Sequence, residues 1–389
     1  MKNILILSDK LNSGGVEVAL INFIKKISED NKDINITLML KKAEGVYLDE
    51  LKNICKIVEI PMNNCIYKQI LDIKLKNIKD IKLLKSKFKL IYIKLLHKVN
   101  CTTYYTKILS ECIKTQETYD LAIDFHGYGY IGTCYIAERV NADKKILFIH
   151  DENIKWVKDI KNWLKFYDKF YCVSESCIEI LEKRYSEVVN KTEIFHNIID
   201  EKEIIEKSVQ KIDENISHEF INILTIGRLE HQKGYDLLVD ICKELKKQYV
   251  RFRWYIIGTG REKLKIQKWI NENNLRNEII LLGMKKNPYP YLRLCDIYVQ
   301  PSRHEGYGIA IAEARCLNKP IVATNIKCIE EQIVNNKTGI LCEFNKDEFF
   351  KAIKKLIEDI NYRRLFSENL KKIKIKTTND INKIYNLLD

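Results

Sequence analysis

No stretch of the 389 residues runs to 18 uninterrupted apolar positions, which excludes a membrane-spanning helix as an organising element. The apolar start, Met1-Lys2-Asn3-Ile4-Leu5-Ile6-Leu7-Ser8, is too short for a secretory signal. The expectation is a cytoplasmic protein whose membrane contacts are peripheral, at the inner face of the cell membrane. No two of the twelve cysteines stand in C-x-x-C spacing, and Cys172, Cys242 and Cys295 lie inside apolar runs. They read as small buried hydrophobes in a reducing compartment, not as a disulfide framework. There is no repeat at a solenoid period and no low-complexity tract.

What is present is ample apolar content, 46%, in a chain too long for one ordinary domain. Two α/β domains of about 150–200 residues are the natural expectation. The net charge of +13 points to a polyanionic neighbour: a membrane surface, nucleic acid or a phosphorylated substrate. Charge alone does not choose among them.

Along the chain, strand-like apolar runs alternate with helix-like periodic segments. Ile4–Leu7 leads into Ser13-Gly14-Gly15-Val16-Glu17 and then an apolar-periodic stretch from Val18 to Ile24, a strand, Gly-rich turn and helix in Rossmann style. That turn is not a dinucleotide fingerprint, because it lacks G-x-G-x-x-G. Strands follow at Ile34–Leu40 and near Cys55–Ile60. Residues 66–98 break the alternation with ten lysines against Asp72 and Asp80, a net of +8 with His97 neutral. Ile78, Ile81, Leu84, Phe88, Ile91 and Leu95 recur at spacings of three and four, so one helical face is apolar and its flanks basic. Such a helix either lies in an anionic membrane interface or packs on its own domain.

Further strands end at Asp124, before Phe125-His126-Gly127, and at His150, which places both histidines at the edge where open α/β sheets bind ligands. The polar stretch from Glu201 to Glu219 reads as a domain boundary, giving domains 1–200 and 201–365 and a helical tail 366–389. The alternation restarts at Ile221–Ile226, which ends in Gly227-Arg228-Leu229-Glu230-His231-Gln232-Lys233-Gly234. Arg228 and Lys233 in this glycine-bounded loop can converge on one anion, a planar fork beside a point charge. Trp254–Gly260 adds a G-x-G turn containing Gly258.

The central stretch is Ser302-Arg303-His304-Glu305-Gly306-Tyr307-Gly308, between the strand Asp296–Gln300 and a helix from Ile309. The free N–H groups and positive dipole end of a first helical turn attract phosphate oxygens. Glu305 and Glu313 flank that turn, about 12 Å apart along the axis at ~1.5 Å per residue. Two carboxylates around a phosphate site suit a ligand carrying both phosphate and hydroxyl-rich rings.

Taken in order, G-R-L-x-x-x-K-G at 227–234, G-x-G at 258–260 and S-R-x-E-G-x-G-x-x-x-x-E at 302–313 resemble the retaining, nucleotide-sugar-dependent glycosyltransferases of family 4. Gly14-Gly15-Val16-Glu17 is similar to their N-terminal glycine loop and Phe195–Asp200 to their interdomain segment. Asn287–Leu292 looks like the branch that builds bacterial lipopolysaccharide core and capsule. The resemblance implies the GT-B fold, two facing Rossmann-like domains with the cleft between them and a tail crossing back to the first. It implies that Arg228 and Lys233 hold the donor diphosphate, with the amides of Gly306, Tyr307, Gly308 and Ile309 sharing that charge. Glu305 would grip the transferred sugar, Glu313 the ribose, and Gly258 would line the nucleotide. Gly15 would approach the diphosphate from the other domain, and His126 would lie near the reacting carbon. No cofactor and no metal are implied, in keeping with the absence of a D-x-D triplet. The implied partners are a nucleotide sugar, UDP-linked in this family's manner, and a glycan or lipid-linked acceptor.

An epimerase or phosphorylase of the same architecture is the enzymatic alternative. A nucleic-acid binder is the other class, but the charge is spread over both halves with no basic surface interleaved with stacking aromatics on a known module. The basic segment generates a direct expectation: binding to lipid vesicles rises with their anionic fraction and falls when 66–98 is deleted. Equal vesicle pelleting by the deleted chain would remove that role.

Overall fold

The computed structural model describes residues 1–12, 14–63, 92, 95, 101–128, 131–214 and 216–389. The basic segment 66–98 thus lies outside the described residues, apart from Tyr92 and Leu95. The chain forms two compact units, Met1–His196 with Asp380–Asp389, and Asn197–Asn379. The division falls at His196, not at residue 200. Of the expected tail, 366–379 stays with the second unit and only Asp380–Asp389 joins the first.

The first unit is built on a parallel sheet of strands β1 (Lys2–Ser8), β2 (Ile34–Leu40), β3 (Lys56–Glu59), β4 (Thr118–Asp124), β5 (Asn141–Ile149), β6 (Lys169–Cys172) and β7 (Thr192–Ile194). Their spatial order is β3-β2-β1-β4-β5-β6-β7. Ile4, Leu5, Ile6, Leu121, Ala122 and Ile123 are fully buried, as expected of central parallel strands covered on both faces. Phe23, from helix Gly15–Asp30, meets Phe125 at 5.2 Å between ring centroids, and Phe148 meets Phe195 at 5.1 Å. One aromatic cluster therefore ties the first helix to three places along the chain. The terminal segment Asp380–Asp389, with its helix Asn382–Leu388, is held to this unit by polar contacts: the Asp380 carboxylate accepts from the His196 backbone N–H at 2.9 Å, and the Leu387 carbonyl accepts from Lys144 Nζ at 2.7 Å.

The second unit repeats the pattern with β8 (Ile221–Ile226), β9 (Phe252–Ile257), β10 (Ile279–Gly283), β11 (Ile297–Gln300), β12 (Ile321–Thr324) and β13 (Gly339–Cys342), ordered β10-β9-β8-β11-β12-β13. Trp254 is fully buried, and its indole N–H donates to Thr225 Oγ1 at 3.0 Å while Thr225 donates to the Val299 carbonyl at 2.6 Å. A large apolar body is thereby buried with no polar atom left over on the ring, which keeps β8, β9 and β11 in register. Glu201–Glu219, expected as a polar boundary, begins instead with a helix, Glu201–Ser208. Asp200 caps it, accepting from the Glu203 N–H at 2.9 Å, and Ile204 is buried. Its high charge is that of an amphipathic surface helix.

The eleven described cysteines are free, nine of them buried. Among the described residues no helix is long and apolar enough to cross a membrane.

At the end of β9, Gly258 has φ 151°, and a Cβ there would overlap the Gly227 carbonyl oxygen. Gly258→Ala is therefore expected to lower the unfolding free energy by about 1–3 kcal/mol, measured by urea denaturation. An unchanged midpoint would mean that this close approach of β8 and β9 is not needed.

Candidate active site

In each unit the strand order reverses beside the first strand, so the connections from two neighbouring strands leave toward opposite faces and open a crevice at their carboxyl ends. In the second unit these neighbours are β8 and β11, paired in parallel through Ile297–Ile223 and Tyr298–Leu224. The loops that follow them, 227–234 and 301–308, carry the residues singled out in the sequence.

These two loops are joined to each other. Gly234 sits in the left-handed region, φ 69°, against the Pro301 carbonyl, where a Cβ would overlap that oxygen. The Gln232 carbonyl accepts from the Arg303 N–H at 2.7 Å, and Gln232 Nε2 donates to the His304 carbonyl at 2.9 Å. The Arg303 guanidinium grips Asp236 through two bonds, at 2.9 and 2.5 Å, and lies over the Phe344 ring.

Across this junction Lys233 Nζ meets Glu305 Oε1 at 2.6 Å, with side chains 15% and 7% exposed. The lysine stem runs over Gly227, where a Cβ would stand 3.3 Å from Lys233 Cδ. Glu305 Oε1 also accepts from Ser302 Oγ at 2.6 Å and from Gln300 Nε2 at 3.3 Å. Gly308, φ 85°, caps helix Ile309–Cys316, whose first turn holds no acidic residue. Gly306 and Tyr307 are buried beneath it, and Gln332 Nε2 donates to the Tyr307 carbonyl. Glu313, two turns along, is buried and accepts from the Tyr289 hydroxyl at 3.0 Å. Burial pushes its carboxyl up to about 7, against the opposing effect of that hydrogen bond. Arg228 is exposed, and its guanidinium makes no hydrogen bond or salt bridge to the described residues. Lys233, Glu305 and the helix terminus are thus brought together, with Arg228 on the same loop as Lys233. Gly258 abuts Gly227 at the rear of that loop.

The other two expected residues belong to the first unit, at the junction of β1 and β4. Gly15 opens helix Gly15–Asp30, and the Glu17 carboxylate folds back over that terminus, where a Cβ on Gly14 would overlap it. His126 Nδ1 lies 3.5 Å from Ser8 Oγ, in a small cavity lined also by Asp9, Lys41, Asp124 and Gly127. Asp124 is buried, donated to by Thr133 Oγ1 at 2.5 Å and the Gly127 N–H at 3.2 Å, and burial pushes it up to about 6. His150, the second strand-end histidine, is buried with Nε2 donating to the Phe125 carbonyl at 2.6 Å. Burial brings its pKa down to about 3, so it is a neutral structural ring.

Sequence reasoning passed over Tyr298, Gln300, Ser302, Asp236, Tyr289 and Gln332. A polar residue closing the apolar strand Ile-Tyr-Val-Gln300 was the available signal for the second of these. It also passed over Gly127-Tyr-Gly-Tyr-Ile-Gly132, which has G-x-G-x-x-G spacing between β4 and helix Ile131–Arg139.

Residues 206–373, which lie within the second unit, match the family model described as glycosyl transferases group 1. An uncharacterized glycosyltransferase of Methanocaldococcus jannaschii is 28% identical over 60% of this chain and 68% of its own length. The Campylobacter jejuni N-acetylgalactosamine-N,N'-diacetylbacillosaminyl-diphospho-undecaprenol 4-alpha-N-acetylgalactosaminyltransferase is 30% identical over 51% of this chain and 53% of its own. The chain therefore spans about two thirds of the first relative and about half of the second. Among solved structures, Anabaena HepE in complex with UDP and glucose matches 100% of this chain and 99% of its own, with a TM-score of 0.71 at 17% identity. An S. aureus TarM variant in complex with fondaparinux, alpha-GlcNAc-glycerol and UDP matches both chains in full, with a TM-score of 0.71 at 18% identity. The fold is the two-domain α/β GT-B fold that the sequence motifs imply.

The Glu313 environment makes stability pH-dependent. Its folded value, about 7, exceeds the ordinary 4.5, so between those values the folded chain holds the proton that the unfolded chain has lost. This contribution is lost as pH rises from about 4.5 through 7, to a total of order 3 kcal/mol. Glu313→Gln should therefore be nearly neutral at pH 4 and stabilising at pH 8, by urea unfolding at both. The same effect at both pH values would contradict the burial argument.

Proposed function

We propose that the chain transfers a hexose-type sugar from a nucleoside diphosphate donor, a UDP-sugar, to a lipid-linked or surface-glycan hydroxyl, with retention of configuration. The observation that carries this reading is the Lys233–Glu305 pair at the β8–β11 junction, beside a helix terminus free of acids and followed by Glu313. Lys233 has further N–H donors beyond the one engaged by Glu305, and the Arg228 guanidinium has all of its own. Together with the Gly308–Ile309 terminus they supply positive charge to a departing diphosphate, so the reading needs no metal. Glu305 keeps an oxygen for a sugar hydroxyl, and Glu313 receives the ribose. The family match, and the UDP and glucose named with HepE, support the donor class. The relative acting on a diphospho-undecaprenol substrate supports a lipid-linked acceptor in polysaccharide-type synthesis. In this reading Gly15 and His126 serve the reacting end of the donor. The basic balance of the chain serves an anionic membrane surface and not nucleic acid.

Arg228→Ala tests the reading with little disturbance of the fold, because the side chain is exposed and makes no hydrogen bond to the described residues, only a charge interaction with Glu230. We expect UDP release from a UDP-sugar to fall at least ~100-fold, the scale of a lost transition-state donor, with an unchanged melting temperature. Near-normal turnover would refute the assignment. Conversion of the sugar with no release of UDP would point to an epimerase.

A further inference from the structure

Behind Glu305 lies a run of buried polar groups that the proposed chemistry does not use. Tyr298 and Ser302 are fully buried, Gln300 is 1% exposed and Glu305 5%. The Tyr298 hydroxyl donates to Gln300 Oε1 at 2.5 Å, which orients the amide so that its NH2 group faces the other way. That Nε2 donates to Ser302 Oγ at 2.8 Å and to Glu305 Oε1 at 3.3 Å. Ser302, already an acceptor, turns its own proton onto Glu305 Oε1 at 2.6 Å. The phenol's one proton goes to the nearer acceptor, the Ile226 carbonyl lying farther off at 3.5 Å, so every bond in the run points one way and ends on the carboxylate.

The result is an asymmetric carboxylate. Oε1 receives Lys233, Ser302 and Gln300, while Oε2 makes no hydrogen bond to the described residues. A carboxylate with one oxygen saturated by three converging donors cannot rotate without breaking them, and so presents the other oxygen in a fixed direction. We infer that Ser302 and Gln300 are positioning residues that aim Glu305 Oε2 and thereby set which hydroxyl arrangement on the donor sugar is accepted. This rests on the sugar-transfer reading above and adds the origin of its sugar specificity. Lys233 alone would not do this, because a flexible ammonium point charge attracts a carboxylate without fixing its plane. The serine and the amide fix it.

The experiment compares UDP-glucose with its C4 epimer UDP-galactose, following UDP release to water, together with UDP affinity by calorimetry. For Ser302→Ala we expect kcat/KM with the better donor to fall at least ~10-fold, mainly in kcat. We also expect the ratio between the epimers to narrow at least fivefold, with the Kd for UDP unchanged within twofold. Ser302→Cys keeps the volume with a weak donor and should behave like the alanine variant, while Ser302→Thr keeps the hydroxyl and should recover discrimination. Full turnover and discrimination in Ser302→Ala would overturn the inference, as would parallel losses of UDP affinity and turnover, which mark a collapsed loop. Failure of the unmodified chain to release UDP from either sugar would overturn the sugar-transfer reading itself, a result distinguishable from both.

Discussion

The second unit is organised around one buried ion pair, Lys233 with Glu305, joining loops 72 residues apart in sequence. Desolvating two charges is unfavourable, and their attraction offsets it only with close geometry and further hydrogen bonds. Both conditions hold: the contact is 2.6 Å, and Ser302 and Gln300 complete the oxygen that faces the lysine. The loops are pressed together independently, by Gly234 against the Pro301 carbonyl and by Arg303 on Asp236. The pair is thus held in place by contacts other than its own.

Glu305, in the loop before the helix, and Glu313, within the helix, show how burial divides labour. Glu305 is surrounded by donors, one of them a cation, while Glu313 has a single phenol partner and a desolvated site. Glu305 therefore suits continuous hydrogen-bond acceptance. Burial pushes Glu313 up to about 7, so its charge, and with it the bond it accepts from the Tyr289 hydroxyl, varies with pH in the neutral range.

Much of this was legible in the sequence because it is local. Apolar runs marked β1, β2, β4, β5, β8, β9, β11 and β12, and the glycines of 227–234 and 302–308 marked turns whose backbone must be close to something. What the close neighbour was could not be read: a sequence places Arg228 and Lys233 together as two cations, whereas the fold engages one with an acid from the loop after β11 and leaves the other exposed. The relay through Tyr298 and Gln300 was hidden for the same reason, since alternate polar residues in a buried strand look like errors of pattern until their partners are known. Charge density misled at 201–208, where a capped amphipathic helix looked like a linker.

The two units share a strand order but not a chemistry, and the difference lies at corresponding helix starts. In the first, helix Gly15–Asp30 carries Glu17 in its opening turn, and that carboxylate folds over the terminus. The positive end of that helix thus already has an anion of its own. In the second, helix Ile309–Cys316 opens with no acid in its first turn, under a lysine whose charge is shared with Glu305. The dipole at the Gly15 end is thus offset by an acid of its own helix, whereas the one at the Gly308 end has none in its first turn and follows the loop whose Glu305 is paired with Lys233.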